Sequence, residues 1–114
     1  MKTSHDPRHQ HRIALVKSLF AYDFQKIPED EIAPIVEKLD AIDGFIKKAA
    51  TEHPIESMNK IDLAILRVGV FELIGKDISV AVVIDEAVEI AKEYGSDNSS
   101  KFIHGVLNTI AQQV

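Results

Sequence analysis

Between residues 32 and 49 the apolar positions Ile32, Ile35, Val36, Leu39, Ile42, Ile46 and Ala49 recur at steps of three and four. That spacing puts them on one face of an amphipathic helix. It predicts one continuous helix, with Glu29, Asp30 and Glu31 near the positive end of its dipole. Gly44 interrupts the pattern at a cost of about 1 kcal/mol relative to Ala, so close packing or a bend is expected there. Upstream, Asp6 and Pro7 form a helix start: a side-chain cap followed by the residue that suits the first turn. The helix they open carries two apolar tracks, Ile13, Val16, Phe20 and Phe24 on one and Leu15, Leu19 and Tyr22 on the other. That is more than one core-facing stripe requires. Either the helix is deeply packed or one track meets a partner.

Downstream, Glu52-His53-Pro54 breaks the pattern, since proline disfavours helix in the residue before it. Lys60 to Ile74 then reads KIDLAILRVGVFELI, apolar on nearly every face, and predicts a central helix packed on most sides. Arg67 and Glu72 are five apart and are expected to find different neighbours. Gly75 is the expected stop. Ser79 caps a helix running to Tyr94, with Val80, Ile84, Ala87, Val88, Ala91 and Tyr94 as its inward stripe and Gly95 closing it. A last helix carries Phe102, Ile103, Val106, Leu107 and Ile110. The only β-branched run, around Ile78–Val83, leads straight into a helical pattern. The expected fold is therefore all-α, a compact bundle of five to six helices in one domain spanning residues 1–114.

Charge adds an asymmetry. The chain carries a net charge of −5, yet residues 1–26 hold five Lys or Arg against two Asp, and His5, His9 and His11 lie there too. Screening keeps fields short-ranged, so an acidic protein with one basic end can still meet a polyanion locally. The absence of cysteine excludes disulfides, thiolate metal sites and a cysteine nucleophile. No run of about 18 apolar residues marks a membrane span, and the polar N-terminus is no secretory signal, so a cytoplasmic protein is expected.

Enzyme signatures are absent: no phosphate-binding glycine loop, no GxSxG, no HExxH. His5, His9 and His11 do not share one helix face, so neither metal nor cofactor is expected. Asp85, Glu86 and Glu89 read as a solvated acidic face. The most informative polar stretch is SDNSSKF, residues 96–102, at a predicted helix start. Free backbone amides there favour an anion, Lys101 adds charge, and Phe102 offers a ring on which a base can stack. Ordinary caps and a core phenylalanine would read the same way.

Three stretches together resemble the NusB family of bacterial transcription antitermination factors: RHQHRIALVKSLFAYDF (Arg8–Phe24), HPIESMNKIDLAILRVGVFEL (His53–Leu73) and SVAVVIDEAVEIAKEYGSDNSSKFIHGVLN (Ser79–Asn108). The resemblance implies a binding protein, not an enzyme. It implies boxA-type RNA as ligand, the ribosomal protein NusE as partner, and assembly with an RNA polymerase antitermination complex. By position it assigns RNA contact to Arg8, His9, Arg12, Ser99, Ser100, Lys101 and Phe102, and partner contact to Phe20, Tyr22, Asp62 and Glu72. Family members are monomers or dimers, so homo-oligomers fall within the expectation. His9 and His11 stand where the family commonly has arginines or other residues, His104 where it usually has Asn, and Asn108 where it usually has Asp. The family also carries a further helical segment after the first helix. Here Phe24 and Asp30 are almost adjacent, so the N-terminal subdomain is trimmed. The trimming and the histidine-for-arginine tip motivate a second expectation, a protein-interaction module with little RNA affinity of its own.

Overall fold

A computed structural model describes residues 6–114, and Lys2 and His5 of the basic arm lie outside the described residues. The described residues form six α-helices: α1 (Pro7–Gln25), α2 (Ala33–Glu37), α3 (Leu39–Ala49), α4 (Lys60–Gly75), α5 (Val80–Tyr94) and α6 (Ser99–Ala111). Short 3₁₀ turns at Asp30–Ile32 and Ile55–Ser57 precede α2 and α4. Local chemistry sets three of the six starts. The Asp6 carboxylate accepts from the Arg8 amide at 2.8 Å, the Asn59 side chain accepts from the amides of Ile61 and Asp62, and the Ser79 hydroxyl accepts from the Val82 amide.

Helix α4 is the centre of the bundle, touched by α1, α3, α5 and α6. Every residue from Asp62 to Val70 is buried, as an apolar girdle on all faces requires. Its Gly69 lets α6 come close: a Cβ there would meet Leu107 Cδ1 at 3.0 Å. Helix α1 runs antiparallel to α4, because Arg12 pairs with Glu72 near one end and Asp23 with Lys60 near the other. Helices α5 and α6 pack against each other as a hairpin across the Gly95 turn.

Four expectations need correction. The predicted long helix over residues 32–49 is broken at Lys38, whose backbone (φ −105°, ψ 12°) leaves the helical well and whose amide turns to Ile35 and Val36 carbonyls. The break bends the chain while still burying Ile32, Ile35, Ile42 and Ile46. A Cβ at Gly44 would meet nothing within 4 Å, so close packing does not explain it. The α5 stripe is rotated: Val83, Ile84, Glu86, Ala87, Ile90 and Ala91 face inward, and Val80 and Tyr94 are exposed. Helix α4 includes Gly75, and it is Lys76, at φ 61°, that takes the left-handed cap.

In α1 the two apolar tracks divide differently from the sequence pattern. Ile13, Val16 and Leu19 are buried, whereas Phe20 and Phe24 are exposed. Arg67 and Glu72 do find different neighbours, Asp43 and Asp23 for the arginine and Arg12 for the glutamate.

Candidate functional site

The start of α6 is built by two serines. The Ser96 amide donates to Ser99 Oγ at 2.9 Å, and the two hydroxyls lie 3.1 Å apart. Ser99 is fully buried by this turn. Gly95 is required for it, since a Cβ at that position would lie 2.5 Å from the Ser99 Cβ. Ser99 thus holds the turn that leads into α6, and Ser100 is half-buried next to it. The next two residues face a cleft of about 460 Å³ between the N-terminal ends of α4 and α6. Lys101 is exposed there and makes no ion pair among the described residues. Phe102 is half-buried, with its ring edge-to-face against His53 at 4.8 Å between centroids.

Asp62 lines the same cleft. It sits in the first turn of α4 and is 7% exposed. Its Oδ1 is the only buried side-chain polar atom without a hydrogen-bond partner among the described residues. An unpaired buried acceptor of this kind costs about 1–3 kcal/mol. Neither Asp62 nor His53 was legible as part of this cleft: one reads as a first-turn acid of α4, the other as the residue before a proline.

The basic candidates of α1 divide. Arg8 is exposed, with its Nε 3.7 Å from Asp6. Its backbone amide holds the Asp6 carboxyl below the usual carboxylate range. Arg12 and His9 are buried. Arg12 Nε donates to both oxygens of Glu72 at 3.0 Å, and a terminal nitrogen lies 3.6 Å from Glu86 Oε1. His9 Nδ1 lies 2.7 Å from the same Glu86 oxygen, and its Nε2 lies 3.9 Å from Glu93. These two side chains therefore bind α1 to α4 and α5 from inside the bundle. Glu86, expected on a solvated acidic face, is buried at the hub of this network. Arg8 lines a different cleft from Lys101, one shared with Asp6, Asp77 and Asp85. Residue for residue, the cleft at α6 brings Ser99, Lys101 and Phe102 together, and it does not include Arg8, His9 or Arg12.

The partner candidates divide as well. Phe20 and Phe24 stand edge-to-face at 5.2 Å on the outside of α1, and Ile27, just past the helix end, is exposed as well. Tyr22 is half-buried under the Lys26 ammonium, 5.6 Å from its ring centroid. Asp62 and Glu72 are not on that surface: the first is buried in the cleft and the second is held by Arg12. Behind the aromatic pair, Asp23 contacts Lys60 at 3.0 Å and Arg67 at 3.3 Å. Burial raises the Asp23 carboxyl, but the hydrogen bonds from Lys60 and Arg67 outweigh it and hold the group below the usual range. Among the described residues no cluster of three histidines or acids has the geometry of a metal site, and no helix is long and apolar enough to cross a membrane.

Comparison with known proteins completes the picture. The NusB family model matches residues 29–112. A protein of a Nitratiruptor species, named transcription antitermination protein NusB, is 41% identical over 129 residues, covering 94% of this chain and 93% of the relative. The protein of the same name from Thermotoga maritima is 35% identical over 136 residues, covering 99% and 94%. A solved structure of T. maritima NusB superimposes with a TM-score of 0.83 at 33% identity, over 99% of this chain and 94% of that one. Both sequence alignments are longer than the 114 residues of this chain, so the relatives carry residues with no counterpart here. On the match of fold and sequence over nearly the whole chain, it belongs to the NusB family.

Proposed function

We propose that this chain is a binding factor of transcription antitermination, and not an enzyme, that engages boxA-type RNA together with the ribosomal protein NusE in the cytoplasm. The observation that carries the RNA part is the pairing of Lys101 and Phe102 at the rim of the α6 cleft: a cation without an internal ion partner beside a ring that is half open to solvent. Cation and ring supply the two elements of single-strand binding, phosphate neutralisation and base stacking. Ser96 and Ser99 shape that turn, with Ser100 half-buried after them. Arg8 supplies a second cation, while His9 and Arg12 act indirectly by fixing the helix that carries it. Phe20 and Tyr22 form the proposed protein-partner surface, with Phe24 and Ile27 extending it.

The test is a titration of labelled boxA-type RNA with and without NusE at two salt concentrations. Lys101→Glu is expected to weaken RNA binding without lowering the melting temperature. With Lys101 and Arg8 as the main phosphate contacts, the slope of log K against log salt should be shallow, roughly −1.4 for a single strand. Unchanged RNA affinity in Lys101→Glu would refute the site.

One observation favours a second reading. Two of the basic residues in α1 are consumed by internal acids, and the exposed aromatic pair on the same helix is unpartnered. A protein-interaction module with little RNA affinity of its own, homo-oligomers included, would bind NusE or a second copy through that pair. NusE binding that persists in Lys101→Glu but is lost in Phe20→Asp, with no RNA dependence, would select it.

A further inference from the structure

Helix α1 is fastened to the bundle near both of its ends, and the two fastenings differ in chemistry. Near the C-terminal end Asp23 is held by Lys60 and Arg67, side-chain types that stay charged well above neutral pH. Near the N-terminal end the fastening is His9. Its side chain is 6% exposed and lies between two acids of α5, with Nδ1 2.7 Å from Glu86 and Nε2 3.9 Å from Glu93. A neutral imidazole has one N–H and one bare nitrogen, whereas a carboxylate offers only acceptors. Whichever nitrogen a neutral ring left bare would therefore face an acceptor. An imidazolium has a donor at each nitrogen and fits both acids. The 2.7 Å separation is that of a charge-assisted contact. The remaining charges around the ring pull in both directions. On α1 the Asp6 carboxyl, seated at the amides of Arg8 and His9, favours a cation. Arg12 opposes one, but its closest acid is Glu72 of α4 at 3.0 Å, and it lies 3.6 Å from Glu86. On α5 the intervening Glu89 is largely open to solvent and pairs with Lys92 at 4.0 Å.

We propose that His9 is a proton-dependent clasp. As an imidazolium between Glu86 and Glu93 it fastens the first turns of α1 to α5. On losing its second proton as pH rises it releases those turns, while the Asp23 end stays fastened. Histidine suits such a device because its charge changes near neutral pH. The sign is fixed by where the ring is charged. The folded chain favours the protonated ring more than the unfolded chain does, so the clasp's stabilisation is complete at low pH and fades as pH rises. Exposed Arg8 rides on the released turns, so the clasp governs how firmly that cation is presented. The clasp itself does not rest on the RNA reading, and its test contains no RNA.

The test uses the full chain, isotope-labelled for nuclear magnetic resonance. At about pH 7.5, where a free imidazole is mostly neutral, both His9 ring nitrogens should show the chemical shift of an imidazolium. Between about pH 6 and about pH 9 the backbone amide signals of residues 8–13 should move together with the ring as it loses its proton, and those around Asp23 should stay. His9→Gln keeps an amide donor but takes no charge. It should lower the urea midpoint at about pH 6, and the loss should shrink towards about pH 9. A bare ring nitrogen in His9 at about pH 7.5 overturns the inference. So does a loss in His9→Gln that is the same at both pH values, and so do amide signals that move equally at the two ends of α1. If His9→Gln does not fold, the ring nitrogens and amide signals of the unaltered chain decide alone.

Discussion

Arg67→Ala is the sharpest test of how this fold is held. Arg67 is buried on the central helix. Its Nε and one terminal nitrogen donate to the two oxygens of Asp43 at 3.0 and 2.9 Å, and the other terminal nitrogen donates to Asp23 at 3.3 Å. Burial works against the guanidinium charge, but Asp43 and then Asp23 more than offset it, so its pKa is raised. One residue thus ties α3 and α1 to α4. Removing one partner of a buried pair costs about 3–5 kcal/mol, because a charge is left behind without its counterion. Here the low end applies: the Asp43 side chain is about a fifth exposed, and Asp23 keeps Lys60. At roughly 4 °C per kcal/mol for a domain of this size, a loss of about 3 kcal/mol lowers Tm by about 12 °C. Arg67→Met keeps the aliphatic stem and isolates the charge. The pH dependence has a definite sign. The folded Asp23 carboxyl lies below its ordinary value of 3.8, so its stabilisation is fully present above that value and is lost as pH falls through the lower folded one. Urea unfolding followed by circular dichroism should therefore give a large penalty at pH 7 that shrinks below about pH 4. A penalty under about 1 kcal/mol at pH 7, or one that does not change with pH, would refute the reasoning.

Other substitutions probe single elements. Gly44→Ala should stabilise by about 0.5–1 kcal/mol, because the new methyl enters open space on a helix; a lower Tm would contradict this. Lys76→Gly should stabilise by about 1 kcal/mol by relieving a left-handed non-glycine cap, measurable as a shift in the urea midpoint. Gly95→Ala should destabilise by about 1–3 kcal/mol, since its Cβ would overlap the Ser99 side chain and crowd the Ala91 carbonyl; RNA affinity should fall with it, as the α6 turn is displaced. Glu86→Ala should cost about 2 kcal/mol by stripping the acceptor from His9 and weakening the hold on Arg12, seen as a lower urea midpoint.

What was legible in the sequence is what local chemistry decides. Asp6 and Ser79 announce their helices because a cap needs only its own next two or three amides. The Lys60–Ile74 run announces a central helix because it is apolar all round. The break at Lys38 was not legible, because the three-and-four spacing of isoleucines continues across it and neither glycine nor proline stands at the turn. The inward face of α5 was misread for a related reason: Val80, Val82, Val83 and Ile84 crowd its first turn, so several rotations bury a similar apolar area. The burial of Glu86 has no local signature, as His9 lies 77 residues away in the chain. At the candidate site, Lys101 and Phe102 were legible from their place at a helix start, whereas Asp62 becomes part of the cleft only once α4 is packed beside α6.

The misplacement of His9 and Arg12 changes the physics of the proposed interaction. A basic first helix on an acidic protein suggests binding led by charge. Yet Arg12 is spent on Glu72 and Glu86, Lys17 lies over the Tyr94 ring, and Lys26 lies over Tyr22 beside Asp23. Of the cations expected to meet RNA, Arg8 and Lys101 remain exposed, and with a screening length of about 8 Å they cannot sum over the whole surface. A polyanion held by so few charges must draw the rest of its affinity from short-range contacts. On this chain the ring of Phe102, half-buried at the rim of its cleft, is such a contact, and stacking on it is open to any base. A partner protein that adds contacts elsewhere on the same polyanion would raise total affinity without any further charge on this chain.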